Sequence, residues 1–273
     1  MTTIRAFSTL GLVALIAGCA SASGPAEPPA RPMTEAPKLT TGYLAKADRP
    51  DSLILVPQPP AAGSAAQARD DAAAKAAVAL QGGERWRIAT SDADLKLPLA
   101  AQAFSCALGV KLTPEQAPRL MSLLGRTLSD LGLSTYGAKT RYMRPRPFTV
   151  DGAPTCTPAF ESVLRRDGSY PSGHSSVGWG WALMLAEIAP DRADAVLARG
   201  RAFGQSRVVC NVHWQSDTEE GRIVAAAVVA KLHSDPQFRA DLDAARAELA
   251  KLRQAGAPPD RDCAAEAQSL ANG

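Results

Sequence analysis

The chain has 273 residues and is 46% hydrophobic, enough to build a substantial core and too short for more than one large domain or two small ones. Its formal charge of +3 is too small to mark a nucleic-acid binder by itself, and no nucleic-acid partner is expected. Alanine is abundant and β-branched runs are few, which tilts the expected class toward helix.

The N-terminus addresses the compartment. Met1 to Arg5 carries one positive charge, Ala6 to Ala17 is mostly small or apolar, and Ile16-Ala17-Gly18-Cys19 follows. The apolar run is too short to span a bilayer and has the proportions of an export signal. Small residues directly before Cys19 resemble a bacterial lipobox, in which Cys19 becomes the lipidated first residue of an envelope protein. Ordinary cleavage after Ala20 or Ala22 is the alternative. The expected location is periplasmic, with a lipid anchor to the outer membrane as the only membrane contact. Residues 1–19 are read as signal, 20–50 as a Pro-rich spacer, 51–255 as a catalytic domain and 256–273 as a tail. Cys106, Cys156, Cys210 and Cys263 remain for disulfides, with three full pairings open.

Leu53 to Val56, followed by Pro57, Pro59 and Pro60, reads as a packed extended arm. Ala65 to Leu80 is an expected helix stopped by Gly82-Gly83, and Asp92 to Leu108 another, interrupted early by Pro98 and stopped by Gly109. Thr113-Pro114-Glu115-Gln116 reads as a cap, with Pro118 able to offset the start. Leu120, Leu123, Leu124, Leu128 and Leu131 then form a helical core stripe closed by Gly132 and Gly137. Further helices are expected over Pro158 to Arg166, Ser175 to Ile188, Asp191 to Gln205, Asp217 to Leu232 and Pro236 to Gln254. The tail is loose unless Cys263 holds it. No strand alternation stands out, so the expectation is one mostly α domain.

Three separated stretches carry the chemistry. Ser172-Gly173-His174 sits where a helix should begin, with Ser172 as cap and unpaired N–H groups making an anion site beside His174. His213 and Asp217 are four apart, so the carboxylate can fix the imidazole tautomer and turn the other nitrogen outward. Lys139 and Arg146, seven apart with Pro145 and Pro147 forcing an extended end, suit phosphate oxygens, and Arg207 adds a third cation. His233, by contrast, lies near a helix end and suits the helix dipole. Trp179 and Trp181 read as core; Tyr142, Met143 and Phe148 either pack or line a pocket mouth; and Cys210 reads as structural.

The order Lys-x6-Arg-Pro, Pro-Ser-Gly-His, Ser-Arg-x5-His-x3-Asp resembles the signature of the type-2 phosphatidic acid phosphatase superfamily, which includes bacterial acid phosphatases and resembles vanadium haloperoxidases. The wording Gly168-Ser-Tyr-Pro-Ser-Gly-His174, with Gly204-Gln-Ser-Arg207 and His213-Trp-Gln-Ser-Asp217, is similar to class A non-specific acid phosphatases from about Ser52 to Ala250. The resemblance implies a single-domain helical bundle and a metal-independent, cofactor-free acid phosphatase. Its substrates would be phosphate monoesters such as nucleotides and sugar phosphates, with some phosphotransfer, and the chain would form homo-oligomers. Lys139, Arg146, Arg207, Ser172 and Gly173 would cradle phosphate, His213 would attack phosphorus with Asp217 holding it, and His174 would protonate the leaving alcohol. A bell-shaped pH profile on the acidic side is expected, with the environment separating the two imidazoles. The rivals are a non-catalytic phosphate-binding envelope lipoprotein, a lipid-phosphate phosphatase and a vanadium-dependent peroxidase.

Overall fold

A computed structural model describes Met1 and residues 39–271; the signal, Cys19 and the spacer as far as residue 38 lie outside the described residues. The regular structure among them is helical, with no strand. The longer helices are α1 (Ala65–Val78), α2 (Glu84–Asp92), α3 (Pro118–Leu133), α4 (Tyr136–Tyr142), α5 (Gly173–Ile188), α6 (Ala193–Val209), α7 (Gln215–Leu232), α8 (Pro236–Gln254) and α9 (Cys263–Ala271). None is long and apolar enough to cross a membrane.

The bundle is built around α5, whose mean composition is apolar and which packs chiefly on α6 and α7, with α3 closing the other side and α8 lying on α3. The leucine stripe of α3 faces inward as its spacing predicts, with Leu120, Leu123, Leu124 and Leu131 wholly buried. Trp181 is fully buried in the same core, and Phe104 stacks on Phe203 at 6.2 Å. Two small residues set the interhelical distances. A Cβ on Gly200 of α6 would stand 2.2 Å from Ala182 Cβ of α5, and one on Gly221 of α7 would stand 2.5 Å from the Ser172 carbonyl. The second approach brings the start of α7 onto the start of α5.

Several boundaries differ from expectation. Ser52–Leu55 is one helical turn, because Asp51 accepts the Leu53 N–H; the proline run acts only after it. The helix expected from Asp92 to Leu108 is interrupted at Pro98 as read, but also further divided: α2 ends at Asp92, and Leu99–Gln102 and Ser105–Leu108 follow Pro98 as separate turns. Gly109 is left-handed (φ 71) and does end the last piece. Thr113 closes a turn with Gln116, but α3 starts at Pro118, where proline's missing N–H costs nothing. Gly137 belongs to α4 rather than to a stop. The chain is packed at Tyr43 and Leu44, ahead of the expected boundary at residue 51, because both N–H groups donate to buried Asp130. Disulfides pair Cys106 with Cys263 and Cys156 with Cys210. The first fastens α9, so the tail is ordered to residue 271.

Candidate active site

The three signature stretches meet at one end of the bundle. Lys139 comes from α4, and Arg146 is the extended cap (φ −84, ψ 152) of the short helix Pro147–Asp151, as its flanking prolines require. Gly173 and His174 open α5, and Arg207 lies in the last turn of α6. His213 sits in the tight connection to α7, where the N–H groups of Val212 and His213 both donate to the Arg207 carbonyl. Asn211 is left-handed there (φ 58) and donates to Asp151 and Ala153. The Cys156–Cys210 bridge pins the same turn.

Asp217, wholly buried in the first turn of α7, collects four donors. They are His213 Nδ1 at 3.2 Å, the Trp214 N–H at 2.8 Å, Arg144 Nη1 at 2.7 Å and the Ser169 hydroxyl. A carboxylate only accepts, so His213 carries its proton on Nδ1 and turns the Nε2 lone pair outward, 3.1 Å from Arg146 Nη1. Asp70 of α1, equally buried, holds Arg144 Nη2 at 2.7 Å together with the Ser216 N–H at 2.8 Å. The motif spacing found the His213–Asp217 pair; Arg144 and Ser169 lie inside the signature stretches but carried no role there beyond added charge from Arg144, and Asp70 read only as a polar residue of an alanine-rich helix.

The cations are buried. Arg146 is tied to the Leu164, Asp167 and Val212 carbonyls and to the Asp167 carboxylate at 2.9 Å. Lys139 Nζ donates to the Gly168 carbonyl at 2.7 Å and lies 3.7 Å from Asp167 Oδ2. Burial first, then Arg146, pulls the Lys139 ammonium down to about 8, against the opposing pull of Asp167 and Asp217. Arg207 is 1% exposed, and its Nε and Nη1 have no partner among the described residues. Burial and the charge of Arg146 push its proton affinity down. A guanidinium keeps its proton nonetheless, so this is an unpaired buried cation facing a cavity.

Ser172 caps α5 by accepting the Ser175 N–H at 3.2 Å and also accepts the Ser175 hydroxyl, which leaves its own O–H free to donate. A Cβ on Gly173 would meet nothing nearer than Thr135 Oγ1 at 3.6 Å. Packing therefore does not demand glycine, and the bare backbone faces the cavity. His174 Nε2 lies 2.9 Å from the Ala93 carbonyl, which fixes the proton there and leaves Nδ1 as the titrating nitrogen. Both imidazoles are pushed well below their ordinary value. Burial is the largest cause for each, followed by Arg207 for His174 and Arg146 for His213. The environment thus moves the two in the same direction rather than apart.

Lys139, Arg146, Gly173, His174, Arg207 and His213 all line one cavity of about 280 Å³. Asp217 stands behind His213, and Ser172 behind Gly173. Trp179, Trp181, Tyr142, Met143 and Phe148 do not line the cavity; Trp181 and Phe148 are core, and Met143 is exposed. His233 is the C-cap of α7, in keeping with its expected place near a helix end, and also lies 3.1 Å from Glu187.

Residues 119–240 match the model of the PAP2 superfamily. A non-specific acid phosphatase of Providencia stuartii is 44% identical over 228 residues, covering 83% of this chain and 91% of the relative. An acid phosphatase of Zymomonas mobilis is 42% identical over 77% of this chain and 80% of its own. A non-specific acid phosphatase of Salmonella typhimurium is 40% identical over 73% and 80%. The chain belongs to the non-specific acid phosphatases of the PAP2 superfamily. Within this acid phosphatase, Asp70 and Arg85 lie before the superfamily match, so the support behind Asp217 and the contact of Arg85 Nη1 with Ser206 at 3.0 Å come from the N-terminal segment.

Proposed function

We propose that this acid phosphatase hydrolyses phosphate monoesters without a metal, through a phosphohistidine on His213. The observation that carries this reading is the unpaired, buried Arg207 guanidinium converging with Lys139, Arg146 and the bare start of α5 on one imidazole whose lone pair is held outward. The fixed cations, the Gly173 N–H and the Ser172 hydroxyl surround the phosphoryl oxygens and stabilise their charge in the transition state. His213 Nε2 attacks phosphorus as the ester P–O bond breaks, and the proton on His174 Nδ1 passes to the leaving oxygen. Water then attacks phosphorus and gives a proton to His174 Nδ1, the P–N bond breaks, and His213 is restored. An alcohol in place of that water gives phosphotransfer.

Depressed proton affinity keeps His213 unprotonated well into the acidic range, which suits a nucleophile. His174 needs its proton, and the arriving phosphate supplies the negative charge that raises its affinity. Hydrolysis of p-nitrophenyl phosphate in excess chelator, beside His213→Ala and His174→Ala, tests this. Persistent turnover in the wild type, lost by at least about a thousandfold in His213→Ala, is expected. Phosphate binding without turnover would favour the non-catalytic lipoprotein reading, and loss of activity with chelator would overturn the metal-free mechanism.

The protein is further proposed to be periplasmic and anchored through Cys19. The two disulfides support an oxidising compartment, and the Ile16-Ala17-Gly18-Cys19 run supports the anchor. Labelled palmitate should enter the wild-type chain and not Cys19→Ser; equal labelling would remove the anchor.

A further inference from the structure

The phosphate cradle occupies only the floor of the cavity. Above it the wall is apolar and is assembled from separate segments: Leu39, Leu95, Leu128 of α3, Tyr136 of α4, and Phe160 and Val163 around the short helix Glu161–Leu164. Three of these stand unusually open for their size, Leu39 at 51%, Tyr136 at 48% and Val163 at 51% exposed. The charged residues on the wall all belong to the cradle. Asp167, the one carboxylate among them, is committed to Arg146 and Lys139. Two hydroxyls interrupt the apolar surface, the half-exposed Tyr136 phenol and Thr157. Thr157 lines the cavity, is 5% exposed, and its Oγ1 has no partner among the described residues.

We propose that this wall is a leaving-group subsite selecting phosphate monoesters of small apolar alcohols and phenols, one ring or a short alkyl chain, over esters of polyols. The proposal rests on the phosphatase reading above, since the cradle beneath fixes which end of the ester enters first. A polyol drawn into this space would lose several hydrogen bonds to water and regain at most two from the wall, at Thr157 and Tyr136. An apolar group loses none and covers surface that water now wets. A volume of about 280 Å³ lies at the lower limit of small-molecule sites, which excludes dinucleotides and larger esters from full entry.

The test compares phenethyl phosphate with glycerol phosphate, both primary alkyl esters, so that the chemistry of the leaving oxygen is matched. Wild-type kcat/KM is expected to favour the phenethyl ester by at least about tenfold. Val163→Asn and Tyr136→Ser should each reduce that ratio by about threefold or more. Inhibition by inorganic phosphate, which needs only the cradle, reports whether each variant is folded. In parallel, calorimetry compares phenethylphosphonate with dihydroxypropylphosphonate, which bind without reacting. A ratio near one in both experiments, or a preference that survives both substitutions, overturns the subsite. If no ester turns over but the apolar phosphonate still binds preferentially, the mechanism fails and the subsite stands.

Discussion

At the scale of single residues, the site is a set of charges that the protein holds at a cost. Lys139 shows this most directly. Its ammonium has been pulled down to about 8 by burial and by Arg146, with Asp167 and Asp217 pulling the other way. In the free enzyme His174, which must carry a proton and is pushed well below its ordinary value, sets the alkaline limb of kcat/KM; above about 8 Lys139 loses its charge as well, so binding of inorganic phosphate should weaken as pH rises through about 8. On the acid side His213 stays unprotonated well below its ordinary value, so the acidic limb lies lower still. Lys139→Arg replaces the titrating cation with one that keeps its proton. The loss of phosphate binding above about 8 should then move upward, and an unmoved loss would assign it to another group. The sequence made the touching pair and the three cations legible because they stand at fixed spacings within short motifs. It hid the pairing of Asp70 with Arg144, because a carboxylate on an alanine-rich helix and an arginine in a basic loop both read as solvated until the fold buries them 2.7 Å apart.

At the scale of elements, positioning depends on how closely α5, α6 and α7 approach. The expected helix positions were close wherever a stripe or a cap defined them: α8 begins at Pro236 and ends at Gln254 as read, and α3 carries its leucines inward. Most of the differences lie between Ser52 and Pro118, where single turns are stabilised by side chains from elsewhere; Tyr43, Leu44 and Gly137 are the others. Ser52 Oγ accepts the Ala138 N–H, a contact spanning 86 residues that no local pattern contains. Gly200 tests the packing. A Cβ there would meet Ala182 Cβ at 2.2 Å and the Gly178 carbonyl at 3.0 Å. Gly200→Ala should destabilise the fold by about 1–3 kcal/mol, read from chemical denaturation. The helix-propensity gain of alanine, at most about 1 kcal/mol, opposes this and should be outweighed. An unchanged or raised midpoint would show that α6 can shift away from α5 without penalty.

At the scale of the whole molecule, long-range ties bring the N-terminal helices, the signature stretches and the tail together. Asp70 links α1 to α7. Asp92, at the end of α2, takes Arg199 Nη1 at 3.1 Å and the Ser206 hydroxyl at 2.6 Å, next to Arg207. Arg199 Nε in turn lies 3.3 Å from Glu266 on α9, and the Cys106–Cys263 bridge holds that helix in place. A mostly α single domain was readable from composition and periodicity. This cross-bracing was not, because it joins residues far apart in the chain, from Arg199–Glu266 to Cys106–Cys263.

The lone guanidinium of Arg207 has a consequence for how long the molecule lasts. A chain that buries a positive charge without a partner spends part of its small stability margin on it, and any anion that settles there returns the loss. The reaction's own product is such an anion. Inorganic phosphate at about a hundred times its dissociation constant should add about 2.7 kcal/mol to unfolding and raise the melting temperature accordingly. Arg207→Met should lose most of that gain while melting no lower than the wild type without phosphate. An equal phosphate response in both proteins would place the anion elsewhere. The same ion that stops turnover would thus preserve the catalyst: the molecule is most durable at rest, and shortest-lived where phosphate is scarce.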